Sequence, residues 1–237
     1  MGEHLLKVCR ATVCSVTLTR AEEVTMLTVA LPNGTLENRT TAFFEKAGIW
    51  LRRAHRNYRA KVEDSRIARV QFMRPQIIPR LVQRGHYDLG VVGSDVVAET
   101  ACEVTVLAKL DFSARGVNRE FRIVLVGGCD DPAQKLKDIQ PGCTILSEFP
   151  RITRLALAQA GLVAQVEYSF GATEAHVPHD FRYGVCIAST GETLAANDLK
   201  IIDVLSTETT VIIGGPSRLD GGGKEAAARS LLNDLLQ

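Results

Sequence analysis

The chain has 237 residues, of which 46% are hydrophobic and 23% charged, and its formal net charge is +1. A chain of this size can bury one large core or two smaller ones. The near-neutral balance excludes a global affinity for nucleic acid or a membrane surface, so any anion site has to be built locally. No apolar run reaches bilayer-spanning length. Six cysteines without a CxxC pair give neither a zinc knuckle nor a disulfide framework, which fits a reduced, cytoplasmic setting.

Residues 1–25 mix Lys7, Arg10 and Arg20 with Glu3, Glu22 and Glu23 and lack the apolar core of a signal segment; they read as a loosely ordered N-terminal extension. Residues 27–31 form a compact apolar run, a buried strand broken by Pro32-Asn33-Gly34-Thr35. A helix fits 36–47, with Leu36, Phe43, Phe44 and Ala47 on one face and Gly48 as its stop. The basic segment 51–61 reads most simply as a solvated charged face. Its functional reading is a loop whose arginines, Arg59 among them, pair with polyphosphate oxygens. Only one aromatic, Tyr58, is interleaved, so nucleic-acid binding ranks third.

Residues 70–73 read as a second strand, followed by Arg74 and by Pro75 at the first position of a helix that Gly85 closes. Arg74 thus falls at a strand-to-helix corner, where ligands of α/β sheets bind. The plan repeats with a strand over 88–93 and Ser94-Asp95 capping a helix through Glu99. Strands are expected at 104–110, 121–126, 144–146 and 163–166, with an amphipathic helix over 152–160. The polar stretch 111–118 is where the chain crosses between lobes.

A further strand, 184–187, feeds Ala188-Ser189-Thr190-Gly191-Glu192-Thr193-Leu194, and a helix can begin at 195–197. Free backbone N–H groups, the hydroxyls of Ser189, Thr190 and Thr193, and a helix start together suit a phosphate. An ordinary capped turn is the competing reading. Strands at 201–204 and 210–213 read as returning to the first lobe, and Gly221-Gly222-Gly223 precedes a final amphipathic helix over 224–236. The expected fold is α/β with mostly parallel sheets in two lobes: residues 26–112 with 204–237, and residues 113–203. His176-x-x-His179-Asp180 has the look of a metal cluster but reads more simply as solvated loop residues.

Several of these blocks together resemble the ATP phosphoribosyltransferase family. They are Ala30-Leu31-Pro32-x-Gly34, Arg74-Pro75-x-x-Ile78-Pro79, Asp88-Leu89-Gly90-x-x-Gly93-x-Asp95, and Ser189-Thr190-Gly191-x-Thr193-Leu194 with Asn197. Glu148-Phe149-Pro150-x-Ile152-Thr153 and Gly171-Ala172-Thr173-Glu174 are similar to two further family segments. The resemblance runs from Met26 to the C-terminus and is to the family's short form. It implies a fold similar to type II periplasmic binding proteins, with the site in the cleft. It implies joining of adenine N1 of ATP to C1 of phosphoribosyl pyrophosphate (PRPP), the first step of histidine biosynthesis, with magnesium on the substrate phosphates. It further implies a homodimer and a separate regulatory subunit related to histidyl-tRNA synthetase, with no nucleic-acid or membrane partner.

Carried over by position, Ser189, Thr190, Gly191, Glu192 and Thr193 would cradle PRPP, and Glu174 would lie near the ribose as a catalytic residue. Arg74 would act in catalysis and, with Asn33, Gly34 and Arg59, near ATP and its polyphosphate; Asp95 would lie near the nucleotide or metal. No residue is assigned directly to metal. The chain departs from the family at Asn33 and Thr35, where cationic residues are usual, and at Arg182 and Cys186, where acidic ones are. Glu192 also brings a negative charge to the loop. The alternative is therefore a divergent paralogue that binds a nucleotide or sugar phosphate without this catalysis.

Overall fold

The structure, a computed structural model, describes residues 26–113, 120–188, 191–215 and 223–237. β1 (Leu27–Pro32) is the apolar centre of the first sheet and pairs in parallel with β4 (Ile67–Met73) and β5 (Leu89–Gly93). Parallel neighbours require a crossover that returns the chain to its starting end. Helices supply it: α1 (Glu37–Lys46) follows β1, α2 (Ile78–Gln83) follows β4, and α3 (Ser94–Thr100) follows β5. Pro75 opens the 3-10 turn ahead of α2, as its fixed φ and missing N–H favour.

The rest of this sheet is antiparallel. β2 (Leu51–Arg52) and β3 (Arg59–Val62) extend it beyond β4, and β12 (Thr210–Gly214) and β6 (Thr105–Leu110) extend it beyond β5. The second sheet runs in the order β11 (Leu199–Glu208), β7 (Phe121–Gly128), β10 (Tyr183–Ala188), β8 (Thr144–Ser147), β9 (Gln165–Tyr168). α4 (Pro150–Gln159) joins β8 to its parallel neighbour β9, whereas β7 pairs antiparallel with both β10 and β11.

The two-lobed α/β architecture is thus present, with sheets that are mixed rather than mostly parallel. At one edge the reason is connection length: the link at 63–66 between β3 and β4 is too short for the crossover a parallel pair needs. β7 and β12 instead pair antiparallel with strands distant in sequence.

Three local differences matter. The basic segment read as a loop contains β2 and β3, strands too short and too charged to show a period-two apolar pattern. The strand expected over 201–204 is part of β11, which stays in the second sheet to Glu208, and Thr209 alone separates it from β12 in the first. The helix expected to begin at 195–197 is α5 (Glu192–Ala195), which starts earlier because Gly191, at φ 82°, turns the chain directly into it.

The C-terminal helix α6 (Gly223–Leu235) buries Ala228, Leu231 and Leu235 against the first core. Its start is tied by Lys224, whose Nζ lies 2.9 Å from both oxygens of Asp88. The Asp88 residue is 0% exposed, and the backbone N–H and hydroxyl of Thr28 each donate to its Oδ2 at 2.8 Å. Burial pushes the Asp88 carboxyl up, but the Lys224 ammonium and the Thr28 donors outweigh it and hold the carboxyl below its usual range.

A depressed carboxyl contributes stability above its unfolded pKa of about 3.9 and loses it as pH falls through the lower folded value. Lys224→Met removes the cation beside a buried carboxylate, and we expect it to lower unfolding stability by about 3 kcal/mol at neutral pH in denaturant titrations. Most of that loss is expected to be restored in Lys224→Met/Asp88→Asn. An unchanged midpoint for the single variant would show that the pair does not anchor the helix.

Candidate functional site

The C-terminal ends of β1, β4 and β5 lie side by side, because the parallel register sets Pro32 opposite Met73. Each end delivers one of the residues singled out in the sequence. Past β1, the Asn33 N–H donates to the Met73 carbonyl at 2.8 Å, its buried Oδ1 has no partner among the described residues, and Gly34 turns the chain at φ +81°. Past β4, Arg74 is exposed and makes no ion pair among the described residues. Arg59 is exposed on β3 and pairs with Gln71, close to the same end of β4. Past β5, Asp95 on α3 is 8% exposed. A Cβ at position 93 would fall 2.0 Å from Asp95 Oδ1, so glycine there is what lets the carboxylate fold back over the strand end.

The second lobe meets this edge through the β8–α4 corner. The Phe149 N–H donates to Ser147 Oγ at 2.9 Å, and Ser147 Oγ and Thr153 Oγ1 are 2.8 Å apart, which fixes the turn that presents Glu148. No side chain of its own caps α4. Glu99, from α3 of the other lobe, does so instead. Its carboxylate accepts from the Arg151 N–H at 2.9 and 3.1 Å and from the Ile152 N–H at 3.1 Å. These are orphan donors at the positive end of the helix dipole, so an acidic partner is favoured.

Between the lobes lies a cavity of about 310 Å³. Its first-lobe wall includes Leu36, Pro75 and Asp95, and its second-lobe wall Glu148, Phe149, Tyr168 and Phe170. Thr210, at the return strand, also lines it.

The remaining predicted residues are distributed differently. Glu174 sits half-buried in the 3-10 turn Thr173–His176 and does not line this cavity. That turn lies so close on β10 that a Cβ at Gly184 would be 2.7 Å from Thr173 Cγ2. Gly191 has φ +82° with open space beside it, and Glu192 and Thr193 are exposed above the buried Leu194. Ser189 and Thr190 lie outside the described residues. His176 Nδ1 and Asp180 Oδ2 are 2.9 Å apart on an exposed surface.

The two departures on β10 separate. Cys186 is buried in the apolar cluster with Val124, Val126 and Leu194. Arg182 precedes the strand, at the end opposite Ala188, roughly 20 Å away at about 3.3 Å per residue. Its Nε donates to Asp131 Oδ2 at 2.7 Å and its Nη1 to Gln140 Oε1 at 3.2 Å. Arg182 is therefore a structural tie within the second lobe and does not line the interlobe cavity.

Sequence reasoning missed Glu99, Tyr168, Phe170 and Thr210. Glu99 and Thr210 gave no local signal, because their importance comes from the opposite lobe and from the strand return. The aromatic spacing Tyr168-Ser169-Phe170 before a glycine was visible, but period two alone reads as strand.

The HisG family, described as ATP phosphoribosyltransferase, matches residues 74–236. An ATP phosphoribosyltransferase of Nitratidesulfovibrio vulgaris (strain Miyazaki F) is 36% identical over 191 residues, covering 80% of this chain and 64% of that protein. One of Desulforudis audaxviator is 37% identical over 184 residues, covering 78% and 63% respectively. The chain thus spans a little under two thirds of these relatives. Among solved structures, the ATP phosphoribosyl transferase (HisG:HisZ) complex from Thermotoga maritima contains a chain with TM-score 0.75 at 23% identity, covering 89% of this chain and 97% of that one. XAC2383 from Xanthomonas citri bound to ATP has TM-score 0.51 at 13% identity, covering 88% and 82%.

Glu99→Gln removes the charge that holds the first-turn amides of α4. We expect hydrogen exchange at the Arg151 and Ile152 amides to speed up by roughly tenfold or more, with core amides of β1 unchanged. Unaltered protection at both amides would show that the lobes are not joined there.

Proposed function

Because the chain belongs to the ATP phosphoribosyltransferase family, we propose that it joins ATP to PRPP in the first step of histidine biosynthesis. What supports this reading is that Asn33, Gly34, Arg74 and Asp95 follow the ends of neighbouring strands, with Arg59 on β3 near the end of β4, and that Asp95 lines the interlobe cavity. In the step, the adenine N1 lone pair forms a bond to ribose C1. The C1–O bond breaks with its electron pair going to pyrophosphate, and the adenine amidine loses a proton to solvent. Such a displacement asks the protein for alignment and charge stabilisation rather than covalent chemistry.

Arg74, with Arg59 nearby, would neutralise the departing pyrophosphate, since guanidinium forks match phosphate oxygens. The main-chain amides and hydroxyls of 189–193 would hold the 5-phosphate, with the Glu192 side chain turned away, and Glu174 would stand near the ribose hydroxyls. Magnesium, when bound, would supply charge neutralisation on the phosphates. A dimer of this chain with a regulatory subunit of the HisZ kind is the proposed assembly, supported by the 97% coverage of the chain matched in the HisG:HisZ complex.

A second reading, nucleotide binding without transfer, is favoured by one observation: Cys186 is buried in the core where the family usually carries a carboxylate. The deciding experiment mixes the purified chain with ATP, PRPP and magnesium, with and without the HisZ-type partner, and follows the near-ultraviolet absorbance of the N1-substituted nucleotide. We expect product, and a fall in kcat/KM of roughly a hundredfold in Arg74→Met. ATP and PRPP that bind without product in either setting would establish the second reading.

A further inference from the structure

The chain passes between the lobes twice, and the structure ties the two passages together. β6 ends at Leu110 on the way to β7, and β11 enters β12 through Thr209 alone. The Thr209 hydroxyl donates to the Leu110 carbonyl at 3.1 Å, and Phe121, the first residue of β7, stands opposite Glu208 in the β11–β7 ladder. With a single residue between two sheets, a small backbone rotation there swings one lobe against the other.

Glu208 is the side chain that reaches this point from the second lobe. It is half-buried, and its two oxygens are divided between the lobes. Oε1 accepts from the Ser206 hydroxyl on its own strand, and Oε2 accepts from the Ser94 hydroxyl of the first lobe. Ser94 Oγ in turn accepts from the Thr209 N–H at 3.0 Å, and the Ser94 N–H donates to the Thr209 carbonyl at 2.8 Å. Glu208 is thus what orients the Ser94 hydroxyl, because that proton can go to the carboxylate only while Oγ faces the Thr209 N–H.

Ser94 opens α3 and precedes Asp95, which lines the interlobe cavity. The other end of α3 is held by the Arg151 side chain on the Ala98 carbonyl and by Glu99 on the amides of α4. A helix of the first lobe is therefore gripped at both ends by the second. Glu208 sets one grip and does not itself line the cavity.

We propose that Glu208 is a positioning residue: through Ser94 it fixes the angle between the lobes, and with it the alignment of substrates held on opposite lobes. The proposal rests on the transferase reading above, with PRPP on the 189–193 loop and the ATP polyphosphate at Arg59 and Arg74. Each lobe keeps its own binding groups when the hinge loosens, so affinity for either substrate alone survives. Displacement at C1 does not, because it needs the reacting atoms in near contact, and a misplacement of about 1 Å costs about a hundredfold in rate.

The test compares steady-state kinetics, with the HisZ-type partner present, and calorimetric titration with ATP or PRPP alone. The variants are Glu208→Ala, Ser94→Ala, their double and Glu208→Gln, each shown to be folded by near-ultraviolet circular dichroism. We expect Glu208→Ala to lower kcat about thirtyfold or more, with both single-substrate affinities within about twofold of wild type. Ser94→Ala is expected to do the same, and the double variant to be no worse than the poorer single, since both remove one contact. Glu208→Gln keeps an acceptor for Ser94 and is expected to recover kcat to within about threefold of wild type. Small-angle scattering without substrates should give a larger radius of gyration for Glu208→Ala than for wild type. Unchanged kcat in Glu208→Ala, losses that multiply in the double variant, or a Glu208→Gln as impaired as Glu208→Ala overturns the proposal. A loss of single-substrate affinity that accounts for the whole effect overturns it too. Absence of product in the wild type removes the transferase reading; the scattering then keeps the hinge role if the radius grows and ends it if the radius is equal.

Discussion

The site depends on one contact, the Glu99 carboxylate against the Arg151 and Ile152 amides. It satisfies the start of α4 with a side chain from the other lobe. The short strand β8 and its corner residues Glu148 and Phe149 are thereby held opposite Asp95. The reverse contact, Arg151 Nε to the Ala98 carbonyl at 3.2 Å, works across the same seam. Charge-assisted bonds to helix-end amides are among the stronger polar interactions available outside a core, so this seam can set the width of the cleft. On the far side, Ser94 binds the Glu208 carboxylate and its Oγ accepts from the Thr209 N–H at 3.0 Å, pinning the chain where it crosses back.

From that arrangement a division of labour follows. Parallel strands bring their carboxyl ends to one edge, and short links to the flanking helices put Asn33, Arg74 and Asp95 there together. The cationic Arg59 and Arg74 are exposed at this edge, whereas the carboxylates of Asp95, Glu99 and Glu148 line the interlobe cavity, with Tyr168 and Phe170 at its rim.

Much of this was legible in the chain because local rules and the fold agree. Leu27 to Leu31, the Arg74-Pro75 corner and the Ser94-Asp95 helix start each carry their structure in neighbouring residues. The basic stretch was harder: β3 is four residues long with Arg59 and Lys61 on it, and its strand character comes only from pairing with β4. Glu99 and Thr210 are ordinary residues locally and acquire their roles from elements far away in sequence. Arg182 misled in the other direction. Its position near a motif suggested lost chemistry, while the strand between them carries it to the opposite end, where it pairs with Asp131. Distance along a strand converts directly into distance from a site, which counting from a motif does not reveal.

The account stands or falls on where the two ends of the substrates lie. A crystal structure of the chain with PRPP and an ATP analogue that cannot react at N1 measures this. It should show both substrates in the interlobe groove, with pyrophosphate beside Arg74 and the 5-phosphate against the amides around Gly191. Ligands bound away from the interlobe groove, or pyrophosphate bound away from Arg74, would contradict it.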